Sequence, residues 1–256
     1  MSSILVFIAG LIIGSFLNVC IHRMPKKESI VRPRSHCVAC GKTIPWYDNI
    51  PLLSYVLLRG KCRSCKKAIS FRYFIVELLT ASVFLLLFYH YGISAELFVF
   101  AALCAALIVV SFVDLAIQEI PDEISLPGIA IGLIFGFIFP AQLGQDTRLF
   151  GLAYSFLGLF AGGGLIYLMG LLGEAMFKKE AMGGGDVKLM AMLGAFLGWK
   201  LIILAFFMAP FFGSIVGIAA KIRKKEETIP YGPHLSIAAI VALLWGEKIL
   251  KLIFPY

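Results

Sequence analysis

The sequence is poor in charge. Asp, Glu, Lys and Arg make up 15% of its 256 residues, whereas a soluble domain carries about a quarter. So few charges cannot cover an ordinary water-facing surface, which excludes a conventional soluble domain. Strand-period alternation with turn signals about every ten residues is also missing, which excludes a β-barrel. His22, His36, His90 and His234 are scattered and form no H-E-x-x-H pair, so zinc-protease chemistry has no support. A G-x-S-x-G nucleophile elbow is lacking. So is any glycine-rich loop of the dinucleotide or P-loop kind.

What is present is apolar. Hydrophobic residues make up 60% of the chain and the mean hydropathy is +0.93. A hydrocarbon core of about 30 Å needs roughly 20 apolar residues per spanning helix. Apolar runs fall at 4–21, 74–91, 96–116, 124–140, 149–172, 187–199, 201–220 and 233–254. They predict an all-α polytopic protein of about eight transmembrane helices embedded in a lipid bilayer. The run from Val187 to Ala220 is long for one helix, and Gly198-Trp199-Lys200 interrupts it, so it is read as two crossings. The first run has no basic residue before it and no small-residue cleavage site after it, so it reads as a retained helix.

The net charge of +8 sits in short hydrophilic loops, the pattern of membrane topology, and no nucleic-acid partner is expected. Segment 22–72 carries twelve Lys and Arg residues against Glu28 and Asp48. That bias places it in the cytoplasm and the N-terminus outside. Alternation then puts 117–123 and 173–186 inside. Two crossings within 187–220 bring Lys221, Arg223, Lys224 and Lys225 inside as well. Gly128, Gly132 and Gly136 recur on one helix face at a spacing that permits close helix packing.

The basic loop holds Cys37-Val38-Ala39-Cys40 and Cys62-Arg63-Ser64-Cys65. Two such turns can converge on a tetrahedral zinc ion, with sulfur about 2.3 Å from the metal. Both spacings match a zinc ribbon. The alternatives are two disulfides or a redox pair; a cytoplasmic loop disfavours the first, and no βαβ context supports the second. Four cysteine ligands leave no open position, so the metal is structural. Cys20 and Cys104 lie in apolar runs and read as buried thiols.

Two acids stand at the ends of apolar runs. Asp114 closes one run, and Asp186 follows Gly183-Gly184-Gly185 and opens another. A charge at the bilayer centre costs at least about 2.5 kcal/mol on insertion scales, so such groups are functional candidates by default. The expected topology sets both at the cytoplasmic edge. Two carboxyls brought together resist double ionisation. One can then take a proton from an attacking water while the other donates to a carbonyl oxygen and a leaving nitrogen. The glycines leave room for a substrate backbone and permit unusual angles at a helix start. The plainer readings are an N-cap for Asp186 and a water-boundary acid for Asp114. Asp122, after Ile120-Pro121, fits a cap for the fourth run. A proton- or cation-coupled transporter using both aspartates is the rival function; a non-enzymatic scaffold would leave the glycine–aspartate stretch unexplained.

Taken in order, these residues resemble the bacterial prepilin peptidases, or type IV leader peptidases. The likeness runs from Gly14-Ser15-Phe16-Leu17-Asn18, Arg23 and Pro25 through the cysteine pairs around Ile44 to Pro51. It continues through Phe71-Arg72-Tyr73, Glu77, Asp114, Ile120-Pro121-Asp122, Gly183 to Lys188, and Pro230-Tyr231-Gly232-Pro233. The resemblance implies a G-x-G-D membrane aspartic protease of the bacterial inner membrane with Asp114 and Asp186 catalytic. Gly183, Gly184, Gly185, Lys188 and Asp122 would be substrate-loop or supporting positions. It implies type IV prepilin or pseudopilin substrates, cleaved after a glycine on the cytoplasmic side. It also implies N-methylation of the new terminus with S-adenosylmethionine, an activity for which the residues alone show no site. Where many members carry an acid two residues after the first aspartate, this chain has Ala116. The expected division is 1–21 as the first helix, 22–72 as the cysteine loop and 73–256 as the peptidase bundle. The oligomeric state is not legible.

Overall fold

The computed structural model describes residues 1–178, 182–222 and 230–254, without the side chains of 177 and 215–222. Arg223, Lys224 and Lys225 and the Lys221 side chain, which carry part of the topology argument, lie outside the described residues. Among the described residues eight α-helices follow in order: α1 Ser2–Arg23, α2 Leu53–Leu57, α3 Arg72–Tyr91, α4 Ala95–Ile117, α5 Asp122–Ile138, α6 Arg148–Phe177, α7 Gly184–Ile222 and α8 Gly232–Ile253. Among the described residues no strand forms beyond two isolated bridges, His36 with Thr43 and Lys61 with Ala68. The chain is an all-α protein carrying a small cysteine loop.

Among the described residues, five helical segments are long and apolar enough to cross a membrane: Ser2–Lys26, Arg72–Tyr91, Ala95–Ile117, Arg148–Met176 and Gly184–Ser214. Their outer faces carry bare Ile, Leu and Phe, such as Ile4, Ile12, Phe156 and Phe160. Lipid accepts that surface without cost, whereas water would not. Inside α7, Gly198 adopts φ 73° and ψ 170°, breaking the helix where the sequence predicts an interruption. Only glycine takes that conformation readily.

The chain divides into two compact units, Met1–Val113 and Asp114–Tyr256, with the boundary inside α4. In the first, α1 packs along α3. A Cβ on Gly10 would lie 2.6 Å from the Ala81 Cα, and one on Gly14 would lie 2.7 Å from the Glu77 Cα. The bare backbone there is what lets the two helices touch.

In the second unit α7 is central, packed by α5, α6 and α8. Leu189, Met190, Met192, Leu193 and Ala195 form a buried stretch of its first half. The α5 glycines face this packing. Gly128 sits against Met192, Gly132 against Ala195 and Phe196, and Gly136 against Ser155 of α6. Every fourth residue of α5 is thus a close-approach point, as the spacing predicts.

Candidate active site and metal centre

Asp114 occupies the last turn of α4 and is 5% exposed. A carboxylate buried this far needs donors, and one comes from a distant part of the chain. The Gly232 amide donates to the Asp114 Oδ2 at 2.8 Å. Gly232 is the first residue of α8, preceded by Pro230 and Tyr231. One amide of this helix start therefore points at the acid, a favourable arrangement for negative charge. A Cβ at Gly232 would stand 2.8 Å from that same oxygen, so the position has no room for a side chain.

Asp186 lies in the first turn of α7. Its Oδ2 accepts from the Gly183 amide at 3.2 Å, while its own amide donates to the Gly183 carbonyl at 3.1 Å. Gly183 is thus the capping position and Asp186 the third helical residue, reaching back as the acid of a capping box does. The simple N-cap reading of Asp186 is off by three positions. Of the glycines before it, Gly185 is tight, because a Cβ there would meet the Ile120 Cβ at 3.0 Å. Gly184 has open space around it. Asp186 lies within electrostatic reach of Asp114 and of Tyr231, the residue before Gly232. The second unit thus gathers both aspartates and the start of α8 in one neighbourhood.

Asp122 and Lys188 form an ion pair between the starts of α5 and α7. The Lys188 Nζ meets both carboxylate oxygens of Asp122 at 2.7 Å. The cap of α5 is Pro121, with no side-chain hydrogen bond, and Asp122 is the first helical residue. Pro121 fixes the entry to the helix by its own restricted φ. That leaves Asp122 free to tie α5 to the start of α7 rather than to cap its own helix.

In the first unit, the four cysteine sulfurs of Cys37, Cys40, Cys62 and Cys65 lie within 4.8 Å of one another. Cys37 and Cys65 are 3.9 Å apart, close to the roughly 3.8 Å edge of a tetrahedron with metal–sulfur bonds of about 2.3 Å. The two turns are near copies. The Gly41 amide donates to the Cys37 carbonyl at 2.8 Å, and the Lys66 amide to the Cys62 carbonyl at 2.9 Å. The Cys62 thiol is drawn down to about 6, chiefly by the amide of Cys65 and then that of Ser64. Cys65 has a favourable amide from Lys67, but desolvation and its sulfur neighbours outweigh it and push the thiol up to about 11. Four sulfurs this close could hold one metal ion between them. Next to it, two hydrogen bonds of 2.7 Å from Arg63 hold the Asp48 carboxyl below its ordinary range.

Comparison with known proteins decides the family. Residues 8–91 match the bacterial peptidase A24 N-terminal domain, and residues 101–218 match the type IV leader peptidase family. The prepilin leader peptidase/N-methyltransferase of Pseudomonas aeruginosa is 37% identical over 268 residues, covering 94% of this chain and 90% of the relative.

The chain belongs to the type IV leader peptidase family.

Its likeness to relatives of the same description extends across bacteria. The Bacillus subtilis protein is 36% identical over 250 residues, covering 96% of both chains. The Aeromonas hydrophila protein is 35% identical, covering 96% of this chain and 92% of the relative. No solved structure matches the chain.

Two family positions were named in the sequence without a role. Gly232 is the amide donor to Asp114, and the signal for it is a helix start, Pro-Tyr-Gly-Pro, with glycine where a side chain would collide. Glu77 is 8% exposed and accepts from the Leu52 amide at 2.8 Å, pinning the cysteine loop to α3. An acid inside an apolar run was the available signal.

Proposed function

We propose that this protein is a membrane-bound prepilin peptidase that also N-methylates its product. Asp114 and Asp186 form the hydrolytic pair. One carboxylate takes a proton from the attacking water. The other carboxyl donates to the peptide carbonyl oxygen and then to the departing nitrogen. The observation that carries this reading is the meeting of two acids from separate helices in one neighbourhood, each held by a backbone amide. The Gly232 amide keeps the Asp114 carboxylate oriented, and the Asp122–Lys188 pair holds the start of α7, and so Asp186, against α5.

The substrate is a type IV prepilin or pseudopilin, as the relatives' names support. Its apolar helix would lie in the bilayer with the scissile bond at the cytoplasmic edge. The ion-coupled transporter reading is disfavoured, because the relatives are named as enzymes. The four cysteines would hold zinc, which would brace the loop while the residues themselves do the chemistry. The protein would lie in the inner membrane with about eight crossings, counting α7 once on each side of Gly198 and adding α5 and α8.

Mass spectrometry of a type IV prepilin after incubation with detergent-purified protein and S-adenosylmethionine tests the reading. The expected product lacks its leader and carries one added methyl group on the new terminus. An intact precursor, with the enzyme folded and the prepilin cleaved by a known peptidase in parallel, would rule the assignment out.

A further inference from the structure

The cysteine loop carries an apolar face that neither the sulfur cluster nor the aspartates use. In α2, Leu53, Val56 and Leu57 are 51%, 61% and 71% exposed. Their spacing of three and four residues sets them on one side of the helix. Ser54 and Tyr55 lie on the other side, with the half-buried Leu58 just past the helix end, and line a cavity beside the cysteine loop. Trp46, in the short 3₁₀ turn Trp46–Asn49 that precedes α2, is 77% exposed, and Ile50 between the two is also bare.

This face is held in place from behind. Glu77 of α3 accepts from the Leu52 amide at 2.8 Å, and the Ser54 hydroxyl donates to the Tyr47 carbonyl at 3.0 Å. The Tyr55 ring lies 6.2 Å from that of Phe71 and 5.7 Å from that of Phe74, centroid to centroid. To hide its outer side chains α2 would have to roll and break these contacts. A fixed patch of large apolar side chains is unfavourable in water and marks a contact surface.

Position and charge say what covers it. Phe71 is exposed and stacks on Phe74 in the first turn of α3, with ring centroids 5.4 Å apart. From there Ile75, Leu78 and Leu79 continue along α3 as bare apolar side chains, a surface suited to lipid. Phe71 and Tyr55 thus join α2 to the end of a membrane-crossing helix. Segment 22–72 carries twelve Lys and Arg residues against Glu28 and Asp48, and Asp48 is taken up by Arg63. Arg59 and Lys61, just past α2, are exposed. An apolar face edged by tryptophan and by basic side chains is the composition that lies in the surface of an anionic bilayer.

We propose that α2 and the Trp46 turn lie in the headgroup layer of the membrane that the protein spans. Leu53, Val56 and Leu57 enter the upper acyl chains, and Arg59 and Lys61 meet the phosphates of anionic phospholipids. The contact anchors the cysteine loop to the membrane surface and fixes its depth beside α1 and α3.

Photolabelling of the full-length, metal-loaded protein tests this on the unmodified chain. The protein is placed in nanodiscs of phosphatidylcholine and phosphatidylglycerol, a single copy in each, with a tracer lipid bearing a diazirine just below its headgroup. Peptide mapping is expected to find label in residues 46–58 as well as in the spanning helices. Label confined to the spanning helices overturns the proposal and would point to a protein partner or to water at this face. Trp199→Phe with Trp245→Phe leaves Trp46 as the sole tryptophan. Its emission is expected to be quenched more by lipid brominated high in the acyl chain than by lipid brominated at the chain end. Adding Leu53→Glu and Leu57→Glu should abolish that quenching, and adding Arg59→Gln and Lys61→Gln should remove its dependence on phosphatidylglycerol. Circular dichroism and bound-metal content report the folding of each variant. Quenching of Trp46 by aqueous acrylamide but not by brominated lipid, or lipid quenching that survives the two glutamates in a folded variant, overturns the assignment.

Discussion

Gly232 shows how little space the Asp114 carboxylate has. Its amide is the acid's donor at 2.8 Å, and the place its Cβ would take lies equally close to the same oxygen. Gly232→Ala must therefore push the carboxylate or the start of α8 aside. Misplacing a reacting group by a fraction of an ångström to one ångström costs up to about a hundredfold. The variant is expected to lose about ten- to a hundredfold in kcat for leader removal, with KM and helical content little changed. Leader removal at the wild-type rate would show that the amide is not needed. At this scale the sequence carried the aspartates clearly, because acids at the ends of apolar runs are costly unless used. It did not carry the donor to Asp114. A hydrogen bond to a backbone amide 118 residues away leaves no side-chain signature beyond a glycine.

The helices themselves were largely legible, for a simple reason. Apolar runs bounded by charge must form helices in a bilayer, where every backbone group needs an internal partner. The break at Gly198 was legible too, since glycine beside Trp199 and Lys200 interrupts an otherwise continuous run. Which helix packs on which was not, because lipid-facing and protein-facing surfaces are equally apolar. The α5 glycines are the exception. Gly132→Leu would drive a side chain into Ala195 and Phe196 of α7, where even a Cβ stands 2.8 Å from the Ala195 Cβ. Overpacking of this kind costs about 1–3 kcal/mol. The thermal midpoint in detergent should fall, whereas an unchanged midpoint would mean that the helices are not held at this distance. The cysteine loop makes a separate prediction. Cys65, raised to about 11, is protonated near neutrality, while Cys62, lowered to about 6, is largely ionised above that pH. Zinc binding to metal-free protein at about pH 7.5 must therefore release protons, and affinity must fall as the solution is acidified. Calorimetry in two buffers of different ionisation enthalpy measures the release; identical heats would contradict the four-thiolate site.

For the whole molecule, the distribution of Lys and Arg sets the expected sidedness. The cysteine loop and the 117–121 turn should face the cytoplasm, and the segment 139–147 should face outward. Single cysteines introduced at Gln142 and Gln118 in an otherwise cysteine-free chain, probed with a membrane-impermeant thiol reagent on intact cells, check this. Labelling at Gln142 alone is expected; labelling at Gln118 alone would invert the topology and separate the aspartates from the cytoplasm. The family was readable from the sequence because its motifs are spread in order over nearly the whole chain, and no single motif would have sufficed. What no motif conveyed is that Asp114, Asp186 and Gly232, from three different helices, come together. That convergence is the central claim, and it is best tested by leader removal from a type IV prepilin by purified wild type, Asp114→Asn and Asp186→Asn. Each single substitution should abolish cleavage, by at least about a hundredfold to ten-thousandfold as expected for loss of an acid–base group, with helical content retained. Near-normal cleavage by either folded variant would contradict it.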